Sequence, residues 1–389
     1  MIDVALTPDL LHGGAETEQR ESGILLHRLP QPYRSREADD QLRLMEVQPS
    51  GVRLSLRTAA TVVELALRAT RVAYRGFARA RGAVDVTVDH RLVASIPLIA
   101  GDLLELDLAA GTRTSVPGEP DVIRCDGLPP GDKLVEIWLP HNEQVELVSL
   151  RADAPVHAER DMRPVWLHHG SSISQGSNAA TPTGIWPVIA AERSGIHLRN
   201  LGFGGSAFAD PFVARVMRDT PADLLSVKVG INVVNLDAMR LRAFVPAVHG
   251  FLDTVRDGHP EAPLLLISPL HAAIHEDTPG PGAVDPEGFA DGVIRFRATG
   301  QPGDTALGRL TLQVVREALA TIAADRADDP HLHVLDGLSL YGPEDADRMP
   351  LPDGLHPDAQ THAMIGERFA ARVFAAGGPF AMAAASTSG

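Results

Sequence analysis

Up to about residue 160, the chain consists of short segments in which apolar and polar residues alternate. A period of two is typical of a β-strand that buries one face, and turn-rich stretches such as residues 129–132 separate the segments. Strands are predicted at residues 52–57, 62–68, 84–89, 135–139 and 145–150. With no helix pattern between them, these strands predict a β-sandwich or jelly-roll domain over residues 1–160. The first 40 or so residues are polar and irregular, and no element is predicted there.

Beyond residue 160, the pattern changes to strands that alternate with helices. Strands are predicted at residues 165–169, 198–201, 224–229, 263–268 and 332–335, and helices at residues 186–193, 240–256, 306–324 and 359–374. This alternation predicts an α/β domain over residues 161–380, in which helices cover both faces of a parallel sheet. Residues 275–304 are rich in Gly, Pro and Asp, which predicts a long loop or lid beside the strand ends.

The composition of the chain limits its class. Its 389 residues, 44% of them hydrophobic, suit two folded domains. The net charge of −15 argues against nucleic-acid and anionic-membrane partners, which need a basic surface. The one cysteine, Cys125, excludes an internal disulfide and any site that needs several cysteines. Because neither a signal-peptide pattern nor a long apolar run is visible, a cytoplasmic location is expected, and the oligomeric state stays open.

Two segments rich in glycine and serine follow predicted strands. In residues 170–176 (GSSISQG), a serine just past the strand can point its hydroxyl into a cleft, although such a serine can equally cap a helix. In residues 200–206 (NLGFGGS), the glycines let a ligand approach the backbone, and a free N–H group can donate to an oxyanion. A tight loop is the alternative there, since the spacing does not match the G-x-G-x-x-G phosphate-binding pattern.

Two further polar segments lie near predicted strand or helix ends. Asn232 closes the sequence VGIN after the third strand of the α/β region, where its amide can reach the same cleft or form a turn. Asp353 and His356 are three residues apart in the sequence DGLH, just before the last helix. Such a pair can share a hydrogen bond in which the carboxylate fixes the imidazole tautomer, although an aspartate there can also cap the helix.

Together the four segments resemble the marker blocks of the SGNH or GDSL serine hydrolase family, in the family's order and across about residues 163–375. The resemblance implies a flavodoxin-like fold for this α/β domain. It also implies a catalytic triad and an oxyanion hole, in which two backbone N–H groups and one side-chain amide hold a negatively charged oxygen. The implied triad is Ser172, Asp353 and His356, and the implied oxyanion donors are Ser172, Gly205 and Asn232.

The resemblance further implies acyl transfer through a serine-bound acyl-enzyme, without a metal or an organic cofactor. A β-sandwich in front of such a domain resembles the carbohydrate-esterase branch of the family. The layout also resembles GDSL-type acyltransferases that attach a salicylyl group to a sugar hydroxyl of tetracycline-type polyketides. We therefore expect an enzyme that moves an acyl group from an activated ester or a thioester, such as an acyl-CoA, to a hydroxyl of a sugar or a glycosylated natural product.

Two alternatives to the acyltransferase stay open. With water as the second nucleophile, the same chemistry gives an esterase that acts on O-acyl groups of a carbohydrate or a small ester. The chain could instead be a carbohydrate-binding protein with an inactive hydrolase domain. Ser171 and Val233 favour this second alternative, because each stands where the family has, or often has, an aspartate that supports the site.

Several histidines lie near the same predicted strand ends. His169 directly precedes the nucleophile segment, and His271 and His275 follow the fourth strand of the α/β region. These three residues are candidates for lining the substrate pocket. A cluster of histidines could also hold zinc, but no H-E-x-x-H pattern is present, and no metal site is predicted.

Overall fold

The computed structural model describes residues 1–35, 39–77, 79–107, 110–290 and 294–381, without the side chains of residues 289 and 290. The chain divides into two compact units. The first comprises Met1–Met162 together with Ala179–Ile185, and the second comprises Arg163–Asn178 and the chain from Trp186 onward. No helix in the described ranges is both long and apolar enough to span a membrane.

The first unit is a sandwich of two β-sheets, as its alternating sequence predicts. Its first sheet has the strand order Thr112–Val116, Asp102–Asp107, Val62–Tyr74, Gln144–Ala152, Ile24–His27 and Glu16–Gln19, with Ile2–Val4 beside Gln144–Ala152 and Asp121–Asp126 beside Val62–Tyr74. Its second sheet has the order Val156–Ala158, Arg53–Thr58, Lys133–Trp138, Ala83–Val88 and Arg91–Pro97, with Leu11–His12 beside Arg53–Thr58. The strands pair antiparallel, except for the parallel pair Val62–Tyr74 and Asp102–Asp107.

The two sheets of the sandwich share one apolar core. Leu54 and Leu56 from the second sheet and Leu65 and Leu67 from the first are fully buried in it. These residues stand at every second position of their strands, so the period of two in the sequence reflects one face turned to the core. The first 40 residues, for which no element is predicted, contribute strands of two to four residues, too short for a readable period. Short helices in this unit span Gln31–Arg34 and Asp40–Glu46, with 3₁₀ turns at Pro8–Leu10 and Pro182–Gly184.

The second unit contains a parallel sheet. Its strands are β1 (Val165–Gly170), β2 (His197–Gly202), β3 (Leu224–Lys228), β4 (Leu264–Ile267) and β5 (Leu332–Leu335), in the spatial order β2-β1-β3-β4-β5. This is the flavodoxin-like order, and it confirms the predicted α/β fold. The order reverses between β1 and β3, and open α/β sheets bind ligands at the carboxyl ends of their strands at such a switch point.

Helices cover both faces of this sheet, which explains why every residue of β3 and β4 is buried. The helices are α1 (Ser172–Gln175), α2 (Trp186–Ser194), α3 (Pro211–Asp219), α4 (Ile231–Asn235), α5 (Leu241–Gly258), α6 (Pro286–Ala290), α7 (Leu312–Asp325), α8 (Pro343–Arg348) and α9 (Ala359–Phe369). A π-helical turn at Ala370–Phe374 follows α9, and 3₁₀ turns lie at Ala273–His275, Pro302–Leu307 and Gly337–Ser339.

On one face of the sheet, Trp186 of α2 and Phe369 of α9 pack against Trp166 of β1. On the other face, α5 packs between α3 and α7.

The region predicted as a long loop or lid contains regular secondary structure. Residues 275–304 form the two-stranded hairpin Gly282–Val284 and Phe296–Ala298, with α6 between the strands. Residues 291–293 of the predicted lid lie outside the described residues. The helix predicted at residues 306–324 begins only at Leu312, because Gly308 adopts a left-handed conformation (φ 79°) after the 3₁₀ turn. Helix α3, which the sequence pattern does not predict, lies in the connection from β2 to β3.

Candidate active site

The segment after β1 turns sharply from strand into helix. Gly170 ends β1, Ser171 caps α1, and Ser172 is the first residue of α1. A side chain at position 170 would place its Cβ only 2.3 Å from Ser174 Oγ, so this turn requires glycine. Ser172 keeps 8% exposure while Ser171 and Ser174 have none, so Ser172 is the serine of this turn that reaches the surface.

His356 joins Ser172 to Asp353. Its Nε2 lies 2.9 Å from Ser172 Oγ, and its Nδ1 lies 2.8 Å from Asp353 Oδ2. Because an ionised carboxylate only accepts hydrogen bonds, the ring proton sits on Nδ1, and the Nε2 lone pair faces the serine hydroxyl. This arrangement can take the proton from Ser172 Oγ while that oxygen attacks a carbonyl carbon. The three residues that the motifs single out are thus brought into one hydrogen-bonded chain.

Four N–H donors surround the Asp353 carboxylate. Oδ1 accepts the backbone N–H groups of Leu355 and His356 at 2.9 and 2.7 Å. Oδ2 accepts Asn178 Nδ2 at 3.1 Å as well as the imidazole. Burial alone would raise the pKa of Asp353, but the hydrogen bonds, led by that from the His356 side chain, bring it below its usual value. The group therefore stays negatively charged, as the stabilisation of an imidazolium requires.

The motifs do not reveal two residues that contact the Asp353–His356 loop. Asn178, in a left-handed conformation (φ 65°), supplies one of the four donors to Asp353. Phe296, on the hairpin, donates its backbone N–H to Asp353 O at 2.8 Å. Its ring meets the His356 ring edge to face, with centroids 5.8 Å apart. Both contacts join residues distant in sequence, and the one local signal was the turn-forming sequence GSN at residues 176–178.

The loop after β2 leaves one backbone donor unused. Among the residues that the structure describes, the N–H of Gly205 has no hydrogen-bond acceptor. Its neighbours in the loop all have one: Gly204 N–H donates to Gln175 Oε1 at 2.7 Å, Ser206 N–H to Phe203 O at 3.1 Å and Ala207 N–H to Asn232 Oδ1 at 3.1 Å. Gly205 has a φ of 73°, which suits glycine. The position that the motif assigns to the oxyanion hole is therefore the one with a free donor.

Asn232 follows a tight turn at Gly230, which packs closely against Val315 and Pro269. Gly230 has a φ of 128°, and a Cβ there would lie 2.6 Å from Val315 Cγ1 and 2.8 Å from Pro269 Cγ. Only glycine can make this turn into α4. Because Asn232 Oδ1 accepts the N–H of Ala207, its Nδ2 is the end left to donate. Within the described part of the chain, neither this Nδ2 nor the backbone N–H of Ser172 has an acceptor.

The sequence matches the model of the GDSL-like lipase/acylhydrolase family over residues 169–364, just over half of the chain. This range contains Ser172, Asp353 and His356. The chain belongs to the GDSL-like lipase/acylhydrolase family. It is therefore an enzyme of a family that transfers acyl groups or hydrolyses esters.

The fold is similar to those of several solved structures. The salicylyl-acyltransferase SsfX3 from a tetracycline biosynthetic pathway is 27% identical, with a TM-score of 0.76 over 94% of this chain and 95% of that one. A candidate GDSL-like lipase from Bacteroides ovatus is 18% identical, with a TM-score of 0.65 over 92% of this chain and 93% of that one. A family two carbohydrate esterase from Clostridium thermocellum is 13% identical, with a TM-score of 0.54 over 83% of this chain and 91% of that one. The comparison with curated protein sequences gives no match.

Two positions depart from the GDSL pattern without disturbing the hydrogen-bonded chain. Ser171, in place of an aspartate, caps α1 by accepting the N–H of Ile173 at 3.4 Å. Val233, where an aspartate is frequent, is fully buried in α4. The site therefore lacks two negative charges at these positions but keeps the serine, the imidazole, the carboxylate and the unused donors.

Two of the histidines predicted to line the substrate pocket do not do so. His169 is fully buried, donates from Nδ1 to Leu201 O at 2.8 Å and stacks on Phe251 of α5. Burial lowers its pKa to about 4. His275 is also fully buried and lies 3.0 Å from Asn235 Oδ1 of α4, so it fixes the lid segment to that helix. The sequence places both near the strand ends, but their side chains face packed helices.

His271 differs from these two because part of its side chain stays exposed. It lies 3.2 Å from Glu276, and burial, followed by the charge of Arg316, lowers its pKa. Glu276 is also paired with Arg316. No hydrogen bond or ion pair joins His271 to Ser172, Asp353 or His356 in the described part of the chain, so its place in a substrate pocket stays a prediction.

His168, a neutral histidine of β1, connects helix α1 to strand β3. His168 is fully buried, and its pKa is well below its usual value, first because of burial and then because of His169 and Lys228. Its Nδ1 lies 2.7 Å from Ser226 Oγ of β3, and its Nε2 lies 2.8 Å from Ser174 Oγ of α1. This bridge fixes α1, and hence Ser172, to the centre of the sheet.

Proposed function

We propose that this protein is a serine-dependent acyltransferase that moves an acyl group from an activated ester or thioester to a hydroxyl of a sugar or a glycosylated natural product. The observation that carries the proposal is the hydrogen-bonded chain from Ser172 through His356 to Asp353, with three unused N–H donors nearby. An acyl-CoA is the proposed donor class. The chemistry needs neither a metal nor an organic cofactor, since the side chains supply every proton transfer.

The first half of the reaction forms an acyl-enzyme. His356 Nε2 takes the proton of Ser172 Oγ as that oxygen bonds to the acyl carbon. The tetrahedral oxyanion accepts hydrogen bonds from the N–H groups of Ser172 and Gly205 and from Asn232 Nδ2, each worth about 3–4 kcal/mol of barrier. The bond to the leaving group then breaks, and the thiol or alcohol departs with the proton from His356.

The second half reverses these steps with a different nucleophile. The acceptor hydroxyl gives its proton to His356 Nε2 while its oxygen bonds to the acyl carbon. The bond from that carbon to Ser172 Oγ breaks, and Oγ recovers the proton. Throughout, the Asp353 carboxylate stabilises the positive charge on the imidazole without taking a proton itself.

The likeness to the salicylyl-acyltransferase favours a hydroxyl acceptor over water, because it extends over 94% of this chain at a TM-score of 0.76. An esterase is the second candidate, since the fold is shared with a family two carbohydrate esterase. The third, a binding protein with an inactive hydrolase domain, is disfavoured. In an inactive domain, nothing would favour a sequence that keeps Ser172, His356 and Asp353 at hydrogen-bond distance, as they are here.

Product analysis separates the acyltransferase from the esterase. The enzyme is incubated with an acyl thioester, with and without a panel of glycosylated acceptors, and acyl products are followed by mass spectrometry. We expect acylated acceptor to form and to disappear in the Ser172→Ala variant. Free acid as the only product across a broad panel would mean an esterase, and no product in the presence of folded protein would favour the binding protein.

A further inference from the structure

The glycine loop after β2, residues 203–207, is held at both ends by side chains of the candidate active site. At one end, Ala207 donates to Asn232 Oδ1 at 3.1 Å. At the other, Gly204 donates to Gln175 Oε1 at 2.7 Å. The unused donor, the N–H of Gly205, lies between these two anchors. The orientation of that donor thus depends on both side chains.

Gln175 is well placed to act as a rigid anchor. It lies on α1, three residues after Ser172, and its side chain is 4% exposed. The helix fits tightly against the end of β2, because a Cβ at Gly202 would lie 2.5 Å from the backbone nitrogen of Gln175. An acceptor on this helix therefore fixes the glycine loop relative to the nucleophile itself.

The loop needs such an anchor because of its composition. Gly204 and Gly205 are adjacent glycines, which have the widest backbone freedom of any residues. An oxyanion donor lowers a barrier only when it is oriented before the reaction, so that no reorganisation accompanies the development of charge. A hydrogen bond at Gly204 fixes the peptide plane that directly precedes the one carrying the N–H of Gly205.

We propose that Gln175 is a positioning residue that aligns the N–H of Gly205 with the oxyanion. This inference rests on the proposed function, since it assigns Gly205 a role in acyl transfer. Gln175 occupies a position between Ser174 and Gly176 that the motif leaves unspecified. The sequence of the nucleophile block therefore gives no indication of this role.

The test replaces Gln175 by Met, which has a similar length and volume but no strong acceptor. Without the anchor, the donor is misaligned rather than removed, so kcat falls about 10-fold or more, short of the about 10²–10³-fold for a deleted donor. KM stays within about twofold, because the oxyanion exists only in the transition state. The rate of labelling by a fluorophosphonate falls in parallel with kcat. Gln175→Asn serves as a second variant in case the Met variant folds poorly. Its side chain is one methylene shorter, so the amide no longer reaches Gly204, and we expect the same fall in kcat.

Ser268→Ala is the matched control. Ser268 is 5% exposed, and its hydroxyl accepts the N–H of another glycine, Gly337, at 2.9 Å. The same hydroxyl donates to Asp336 Oδ1 at 3.1 Å. This variant therefore loses both hydrogen bonds and some thermal stability but keeps the wild-type kcat.

Two results would overturn the role of Gln175. One is a wild-type kcat in both Gln175 variants. The other is a loss of kcat that Ser268→Ala reproduces at an equal drop in Tm. Labelling of the wild type distinguishes the two proposals: if Ser172 of the wild type is labelled and the Gln175 variants react as fast, only the positioning role fails. If the wild type is neither labelled nor active, the proposed function fails as well.

Discussion

Two buried glutamates of the sandwich and the partly buried Asp353 of the α/β unit are stabilised in different ways. In the sandwich, Glu136 lies 2.5 Å from Arg53, and Glu143 lies 2.7 Å from Arg81. Both glutamates are 1% exposed, so each of these two buried negative charges has an arginine beside it. In the α/β unit, Asp353 is surrounded by N–H donors from the backbone, Asn178 and His356. No Arg or Lys pairs with it among the described residues.

The difference indicates which carboxylate can take part in chemistry. A carboxylate already neutralised by arginine has little further stabilisation to offer a new cation. Asp353 keeps its charge, because hydrogen bonds lower its pKa, but it has no permanent counter-ion. It can therefore stabilise a positive charge that appears on His356 only during the reaction. The sandwich pairs serve the fold, whereas Asp353 is available to the active site.

The largest effect is expected for Asp353→Asn. The amide side chain no longer holds the ring proton on Nδ1, so His356 Nε2 loses its role as acceptor of the serine proton. We expect kcat to fall about 10³–10⁴-fold with little change in Tm, as measured with a short-chain p-nitrophenyl ester. A fall of less than about tenfold would show that the carboxylate is as structural as those of the sandwich.

The next largest effect is expected for Arg53→Met, on stability rather than rate. Removal of the guanidinium leaves Glu136 buried without this counter-ion, which destabilises a fold by about 3–5 kcal/mol. Urea unfolding should show this loss, and the double variant Arg53→Met/Glu136→Leu should recover part of it. An unchanged unfolding midpoint would remove the contrast between the arginine-paired glutamates and Asp353.

A smaller loss of rate than for Asp353→Asn is expected for Asn232→Ala, in the same α/β unit. It deletes one unused donor and frees the N–H of Ala207, so kcat should fall about 10²–10³-fold. KM for the same ester should change little, since the lost interaction belongs to the transition state. A change confined to KM would instead assign Asn232 to substrate binding.

The smallest effect is expected for Asn178→Ala. Asp353 keeps three of its four N–H donors, and water can replace the fourth because Asn178 is exposed. Although the acceptor is charged, an exposed hydrogen bond that water can replace is worth only about 1 kcal/mol, which corresponds to about a fivefold decrease in kcat. A decrease approaching that of Asp353→Asn would mean that Asn178, rather than the backbone, keeps the carboxylate in place.

The sequence predicted the α/β fold and the groups that meet at its edge because both depend on local patterns. The five strands follow from apolar runs, and the carboxyl ends of parallel strands share one edge of the sheet. Segments directly after β1, β2 and β3 therefore come together, and Ser172 and Asn232 can be singled out from the sequence. The Asp353–His356 pair is local as well, with only two residues between its members.

The remaining features depend on contacts that no local pattern encodes. His168 and His169 are adjacent in β1, so their side chains point to opposite faces, and helices bury both of them. The sequence does not indicate this burial. The contact of Phe296 with the Asp353–His356 loop arises only when the hairpin folds back. The hydrogen bond between Gln175 and Gly204 likewise joins the segment after β1 to the segment after β2, and these two segments are adjacent only in the folded sheet.

The central claim, that Ser172 is a nucleophile activated by His356, is tested most directly by covalent labelling. Wild-type protein and the His356→Ala variant are treated with a fluorophosphonate, and the modified peptide is identified by mass spectrometry. The account predicts one phosphonyl group per wild-type chain, attached to Ser172, and labelling slowed by at least about 100-fold in the variant. Modification of a different residue, or equal rates in the two proteins, would contradict it.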